Sequence, residues 1–126
     1  MSTYTAPSAS TRIADAELAP WPLPAEWILD GSSPDPRGAV ISRSDDSRII
    51  RGVWECTPGR FSWVFSYDET LVVESGRATV ELDTGEQVEL VPGVMAFFGR
   101  GHDSTWTVHE TLRKGFHADS PDPLPF

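Results

Sequence analysis

Side chains that build reactive or metal centres are scarce in this sequence: among 126 residues there are one cysteine, one lysine and three histidines. With Cys56 alone, no intrachain disulfide can form and no cysteine-based zinc cluster can be assembled from one chain. A reducing compartment fits that usage. Cys56 sits in an apolar stretch with no histidine beside it, so it reads as a buried hydrophobe rather than a nucleophile. Positive charge is also short, with 10 basic against 19 acidic residues and a formal charge of -9. Such a surface repels phosphate backbones and anionic lipids, which excludes nucleic acid and membrane partners. The first twenty residues, MSTYTAPSASTRIADAELAP, carry neither a basic start nor an apolar run, so no signal peptide or membrane span is expected, and the cytoplasm is the expected location. There is no GxSxG elbow, phosphate-cradling glycine loop, HExxH or basic stripe.

Long helical periodicity is absent too, and what remains is a succession of short strands and turns. The length supports one domain with a core of its own. Residues 1–24 read as a tail or extended arm, 25–120 as the barrel and 121–126 as a C-terminal tail. Pro20, Pro22 and Pro24 deny the arm both a helix and a central strand. Trp21 and Trp27 are too apolar to leave in water, so the arm is expected to lie on the domain or on a partner subunit. Strands are expected at 26–29, 40–43, 48–56, 78–82, 87–91, 94–98, 105–109 and 112–117. Turns fall at Asp30-Gly31, residues 44–47, 57–59 and 74–77, and the hairpin 83–85. This spacing argues for an all-β antiparallel sandwich or barrel.

The stretch from Gly52 to Gly76 concentrates the unusual chemistry and reads as two strands around a turn. Strand alternation puts Trp63, Phe65, Tyr67, Glu69, Leu71 and Val73 on one face, so a single carboxylate stands among aromatics. Such a carboxylate is an acid/base group, a metal ligand or half of a buried ion pair. Trp54 and Glu55 alternate. Trp54 is the expected core residue, and Glu55 joins the lining only if the strand is bulged. Phe97 and Phe98 are expected to pack the barrel.

Glu69 and Gly76, with six residues between them, resemble the end of the first motif of the cupin superfamily. Gly93, Gly99 and Gly101 reproduce the frame of the second motif, with Val94 and Gly99 in place of its acidic residue and proline. GVWECTPG, YDET and STWTVHETLRK resemble the subfamily that includes the (S)-ureidoglycine aminohydrolase and ethanolamine-utilisation cupins. The resemblance covers about residues 50–117 and implies a single double-stranded β-helix, or jelly-roll, barrel around a ligand cavity. In metal-using cupins three His and one Glu hold the ion. The resemblance puts Trp63, Phe65 and Ser104 at the His positions, so one ligand of four survives. His102 is expected in a solvated loop, His109 pointing outward, and His117 on the face opposite Lys114. No cofactor is therefore expected, with manganese, iron or zinc on Glu69 as the alternative.

The resemblance also places Lys114 on the last strand facing the cavity, where it can pair with Glu69. That pair is either a structural bridge or a proton-transfer pair. Tyr67 is expected to donate to a substrate oxygen or to cap the carboxylate. Trp63, Phe65 and Trp106 would form the walls, with Ser104 and Glu55 as further substrate contacts. The function expected is a metal-independent enzyme using acid/base chemistry on a small polar or cyclic metabolite, as an isomerase, lyase, cyclase or hydrolase, with Glu69, Lys114 and Tyr67 catalytic. A non-catalytic metabolite-binding or regulatory cupin is the alternative, and a homodimer is expected.

Overall fold

Runs of β-branched and aromatic residues cut by turn formers become nine strands in the computed structural model, which describes Thr5 and residues 7–126. They are β1 (Ala19–Pro20), β2 (Ile28–Leu29), β3 (Pro36–Arg43), β4 (Ile49–Cys56), β5 (Gly59–Val64), β6 (Asp68–Leu82), β7 (Gln87–Leu90), β8 (Met95–Phe98) and β9 (Asp103–Asp119). Two single-turn 3-10 helices, Ile13–Asp15 and Ala25–Trp27, precede the barrel strands. Among the described residues no helix is long and apolar enough to cross a membrane.

All pairing is antiparallel, and β6 and β9 run beside each other along nearly their whole lengths as a common spine. At one end of the spine β6 residues 69–72 pair with β8, while β9 residues 112–119 pair with β4 and, beyond it, β3 and β1. At the other end β6 residues 78–81 pair with β7, and β9 residues 103–108 pair with β5 and, beyond it, β2. Two sheets thus share two long strands that curl from one into the other, the jelly-roll arrangement, and their inner faces meet in one core.

The curl explains two departures from the expected boundaries. The turn expected at 74–77 is a bend inside β6, and the expected strands 105–109 and 112–117 are one strand, β9. Register shifts fall between Val73 and Ser75, Ser75 and Arg77, and Arg77 and Ala78, so β6 changes direction by bulging while staying paired. Gly76 sits in the bend with φ +87°, and a Cβ there would lie 2.0 Å from the Thr111 carbonyl oxygen. Only glycine permits that approach. The stretch 52–76 accordingly holds the end of β4, all of β5 and the first half of β6 rather than two strands. The expected strand 26–29 shortens to Ile28–Leu29, ended by Asp30 and Gly31, both at positive φ, and closed by Ser32 N–H donating to the Leu29 carbonyl at 3.1 Å.

The N-terminal arm lies on its own barrel. Trp21 covers Gly38 of β3 so closely that a Cβ there would be 2.4 Å from the indole. The Arg113 guanidinium donates to the carbonyls of Ile13 (2.8 Å), Ala14 and Ala16 (both 3.2 Å), fastening the first 3-10 turn to β9. Phe98 is buried as expected, but Phe97 is 63% exposed, because β8 alternates and only one of two adjacent residues can face the core.

Candidate functional site

Period-two alternation through the β5–β6 region buries Phe65, Tyr67, Glu69, Leu71 and Val73, with Trp63 half-buried at the margin. On β9, Trp106 and Val108 face inward from one sheet and Lys114 and Phe116 from the other. Glu69 and Lys114 meet in the space between. Lys114 lies opposite Val73 in the β6–β9 register, and its four-carbon stem runs along the interior to Glu69, placing Nζ 2.5 Å from Oε2. The two side chains are 6% and 4% exposed, so neither charge is shared with bulk water.

Aromatic faces complete the ammonium's surroundings. Trp54, opposite Lys114 across β4–β9, has its ring centroid 4.7 Å from Nζ, and Trp106 is 4.9 Å away. Cation–π attraction at a desolvated site reaches about 2 kcal/mol, so these indoles hold the charge in place. Phe61 stacks on Trp106 at 5.9 Å, and Trp54 meets Trp106 edge-on at the same separation. Among the described residues Glu69 is the only acceptor the ammonium reaches, so its other N–H groups face rings.

Tyr67 is buried beside the pair, and its hydroxyl is raised well above the ordinary phenol value, first by desolvation and then by the negative charge of Glu69. It therefore stays protonated and able to donate at neutral pH. Cys56 is pushed up to about 12, chiefly by burial and further by Asp35, which leaves no thiolate for nucleophilic work.

Glu69, Lys114, Tyr67, Trp63 and Trp106 thus line one cavity. Three expected contacts do not join them. Phe65 is core beneath the cavity, stacked on Phe98 at 5.0 Å. Ser104 is buried, but its hydroxyl donates to the Trp63 carbonyl (2.7 Å) and accepts from Trp106 Nε1 (3.2 Å), so it braces the wall and faces the outer groove beside Trp27. Glu55 points away: the β4–β9 ladder has no register shift that would turn it in, and its carboxylate accepts from Arg113 Nε at 3.1 Å. Of the histidines, His102 bonds Asp83 at 2.8 Å and His109 bonds the Thr79 hydroxyl, both outside the cavity.

Trp54, Phe61, Trp21, Phe116 and Phe126 also line the cavity. Alternation identifies Trp54, and Phe116 could have been found two positions from Lys114 on the same face. Nothing local signals Phe126, whose place depends on where the tail docks.

A divalent ion does not fit this donor set. Glu69 is the one anionic ligand pointing inward, Lys114 Nζ already occupies the cation's position against it, and no group of three His, Cys, Asp or Glu side chains converges among the described residues.

The family described as an EutQ-like cupin domain matches residues 43–116, more than half of the chain. Among solved structures, a protein of unknown function from Pseudomonas syringae pv. tomato superposes with a TM-score of 0.74 at 24% identity over 82% of this chain, which spans only 45% of that protein. The Clostridium difficile EutQ protein gives 0.70 at 21% identity, covering 90% of this chain and 87% of that one. The cupin domain of Schizosaccharomyces pombe Cnp3 gives 0.66 at 10% identity, covering 88% and 73%. At these identities the likeness is one of fold. No curated protein matches the chain.

Proposed function

This chain belongs to the EutQ-like cupin domain family, and from that footing we propose that it is a metal-independent, homodimeric cytoplasmic enzyme acting on a small polar or cyclic metabolite by acid/base chemistry. The observation that carries the reading is the Lys114–Glu69 pair at 2.5 Å inside an aromatic cavity. A buried ion pair between unlike charges is neutral overall, and proton abstraction by Glu69 preserves that neutrality. As the carboxylate takes the substrate's proton, the electron pair left on the substrate becomes an oxyanion, and the Lys114 ammonium transfers its attraction from Glu69 to that oxygen. No net charge is created in the dry site. The proton then returns at another atom, as in an isomerase, or a leaving group departs. Tyr67, held as a phenol, donates to the same oxygen, and Trp63 and Trp106 orient the substrate.

The test is Glu69→Gln, which keeps size and loses the base. Small polar metabolites are screened by NMR for consumption by the wild type, and turnover of any substrate found is expected to fall by about 10²-fold or more in the variant. Undiminished turnover would overturn the acid/base role. Ligand binding without turnover in the wild type would favour a regulatory metabolite-binding module instead.

A further inference from the structure

The cavity is narrowed at its mouth by the chain itself. The Phe126 ring packs against Trp21 with centroids 4.8 Å apart and meets Tyr67 edge-on at 6.0 Å, in the same space as Glu69 and Lys114. The open volume left is about 30 Å³. That accommodates water, which needs roughly 10–15 Å³, but no metabolite, whose pockets run to about 300 Å³ and more. Any ligand must first displace what fills the mouth.

The tail that delivers Phe126 is lightly held. After β9, Ser120 N–H donates to the Arg48 carbonyl and Leu124 N–H to the Ser47 carbonyl, both at 2.8 Å, and Arg43 bonds the Phe126 backbone oxygen. Residues 121–123 are exposed, and Leu124 is the one tail side chain fully buried. With four of its six residues exposed and two apolar side chains, Leu124 and Phe126, holding it to the core, the tail is a segment that opens at lower cost than the paired strands.

What would replace the ring follows from the groups around it. Trp21 and Tyr67 accept a benzene-sized ring in edge and tilted contacts that suit aromatic pairs. Deeper in, Lys114 has N–H groups that no acceptor among the described residues takes, and Glu69 is the neighbouring acceptor. The pair is already neutral, so a charged ligand would bring an uncompensated charge into a dry site, whereas an amide offers a carbonyl to the ammonium and an N–H to the carboxylate.

We propose that the seat of the Phe126 ring is the ring subsite of this pocket, that its ligand is an uncharged planar ring bearing an amide-type acceptor and donor, and that residues 121–126 compete with that ligand. The proposal rests on the small-molecule reading and adds the ligand's class and the control of access. Apparent affinity is reduced by the fraction of molecules whose tail is seated.

The probe is benzamide, with benzoate as the charged control, titrated against the fluorescence of the cavity indoles in the wild type, Phe126→Ala and Leu124→Ser. Leu124→Ser frees the tail from an anchor outside the cavity, so a folding defect in one variant leaves the other to decide; far-UV circular dichroism checks both. Benzamide is expected to bind both variants at least about tenfold more tightly than the wild type, with a smaller gain for benzoate. Equal benzamide affinity in all three proteins would overturn the competition and leave the small-molecule reading standing. Variants whose indoles become open to acrylamide quenching yet bind no benzamide would sink the ring subsite and remove support from that reading as well. A gain for benzoate equal to that for benzamide would overturn the uncharged class alone.

Discussion

Cys56 and Tyr67 hold their protons because the interior gives their anions no solvation. The thiol, ordinarily at 9.0, is pushed up to about 12, and the phenol is raised well above its ordinary 10.0, in each case with desolvation as the largest cause. In both the folded-state value exceeds the unfolded one, so the contribution to stability is complete below the ordinary values and is lost as pH rises through the interval toward the folded ones. Each group then costs about 1.4 kcal/mol per pH unit while only the unfolded chain ionises. Urea unfolding followed from about pH 8 to about pH 11 is expected to show stability falling above about pH 9 and more steeply above about pH 10. Tyr67→Phe should flatten the second part of that fall; an unchanged slope would show that the phenol is not protected. The same residues show what alternation reveals. It put Tyr67 and Glu69 on the inner face because position parity in a strand fixes the side. It could not say that the Ser104 hydroxyl would be used up on the Trp63 carbonyl, since that bond depends on a register between strands some forty residues apart, although the bond from Trp106 Nε1 lies along one face of β9.

At the level of elements, the all-strand character was legible and strand continuity, and with it strand number, was not. Ser75-Gly76 is as good a signal for a tight turn as for a bulge, and the choice between them lies in the partner strand. Here β9 stays paired through the bend, so β6 continues to Leu82. The energetic weight of that corner can be separated from the cost of positive φ alone. Gly76 and Gly85 have nearly the same φ, +87° and +90°, but a Cβ at Gly85 meets nothing within 4 Å while one at Gly76 strikes the Thr111 backbone. Gly85→Ala is expected to cost about 1–2 kcal/mol from backbone conformation. Gly76→Ala should cost about 3 kcal/mol or more, because backbone must shift in the spine shared by both sheets. Chemical denaturation of the two variants measures the difference, and equal losses would mean the β6–β9 corner is soft.

For the whole molecule, Trp21 of the N-terminal arm and Phe126 of the tail meet at the mouth of one cavity, a convergence that only the folded barrel defines. The outer surface poses a different question, because two opposing features bear on self-association. β8 pairs with β6 on one edge and with nothing on the other among the described residues, and it carries Met95 and Phe97 at 71% and 63% exposure. An open strand edge with exposed apolar side chains is a template for pairing with a second copy, since it offers unpaired backbone groups and area that water disfavours. Against this, each chain carries a formal charge of -9, so two copies repel. Salt should decide the balance, as the screening length falls from about 30 Å to about 8 Å between about 10 mM and about 150 mM ionic strength while apolar attraction persists. Sedimentation equilibrium is expected to show a homodimer that tightens across that range, and Phe97→Lys should shift it toward monomer by adding a charge at the contact. A dimer that loosens as salt rises would mean that ion pairs rather than the β8 edge hold it together, and a monomer at both salt concentrations would remove the second copy from the proposed function.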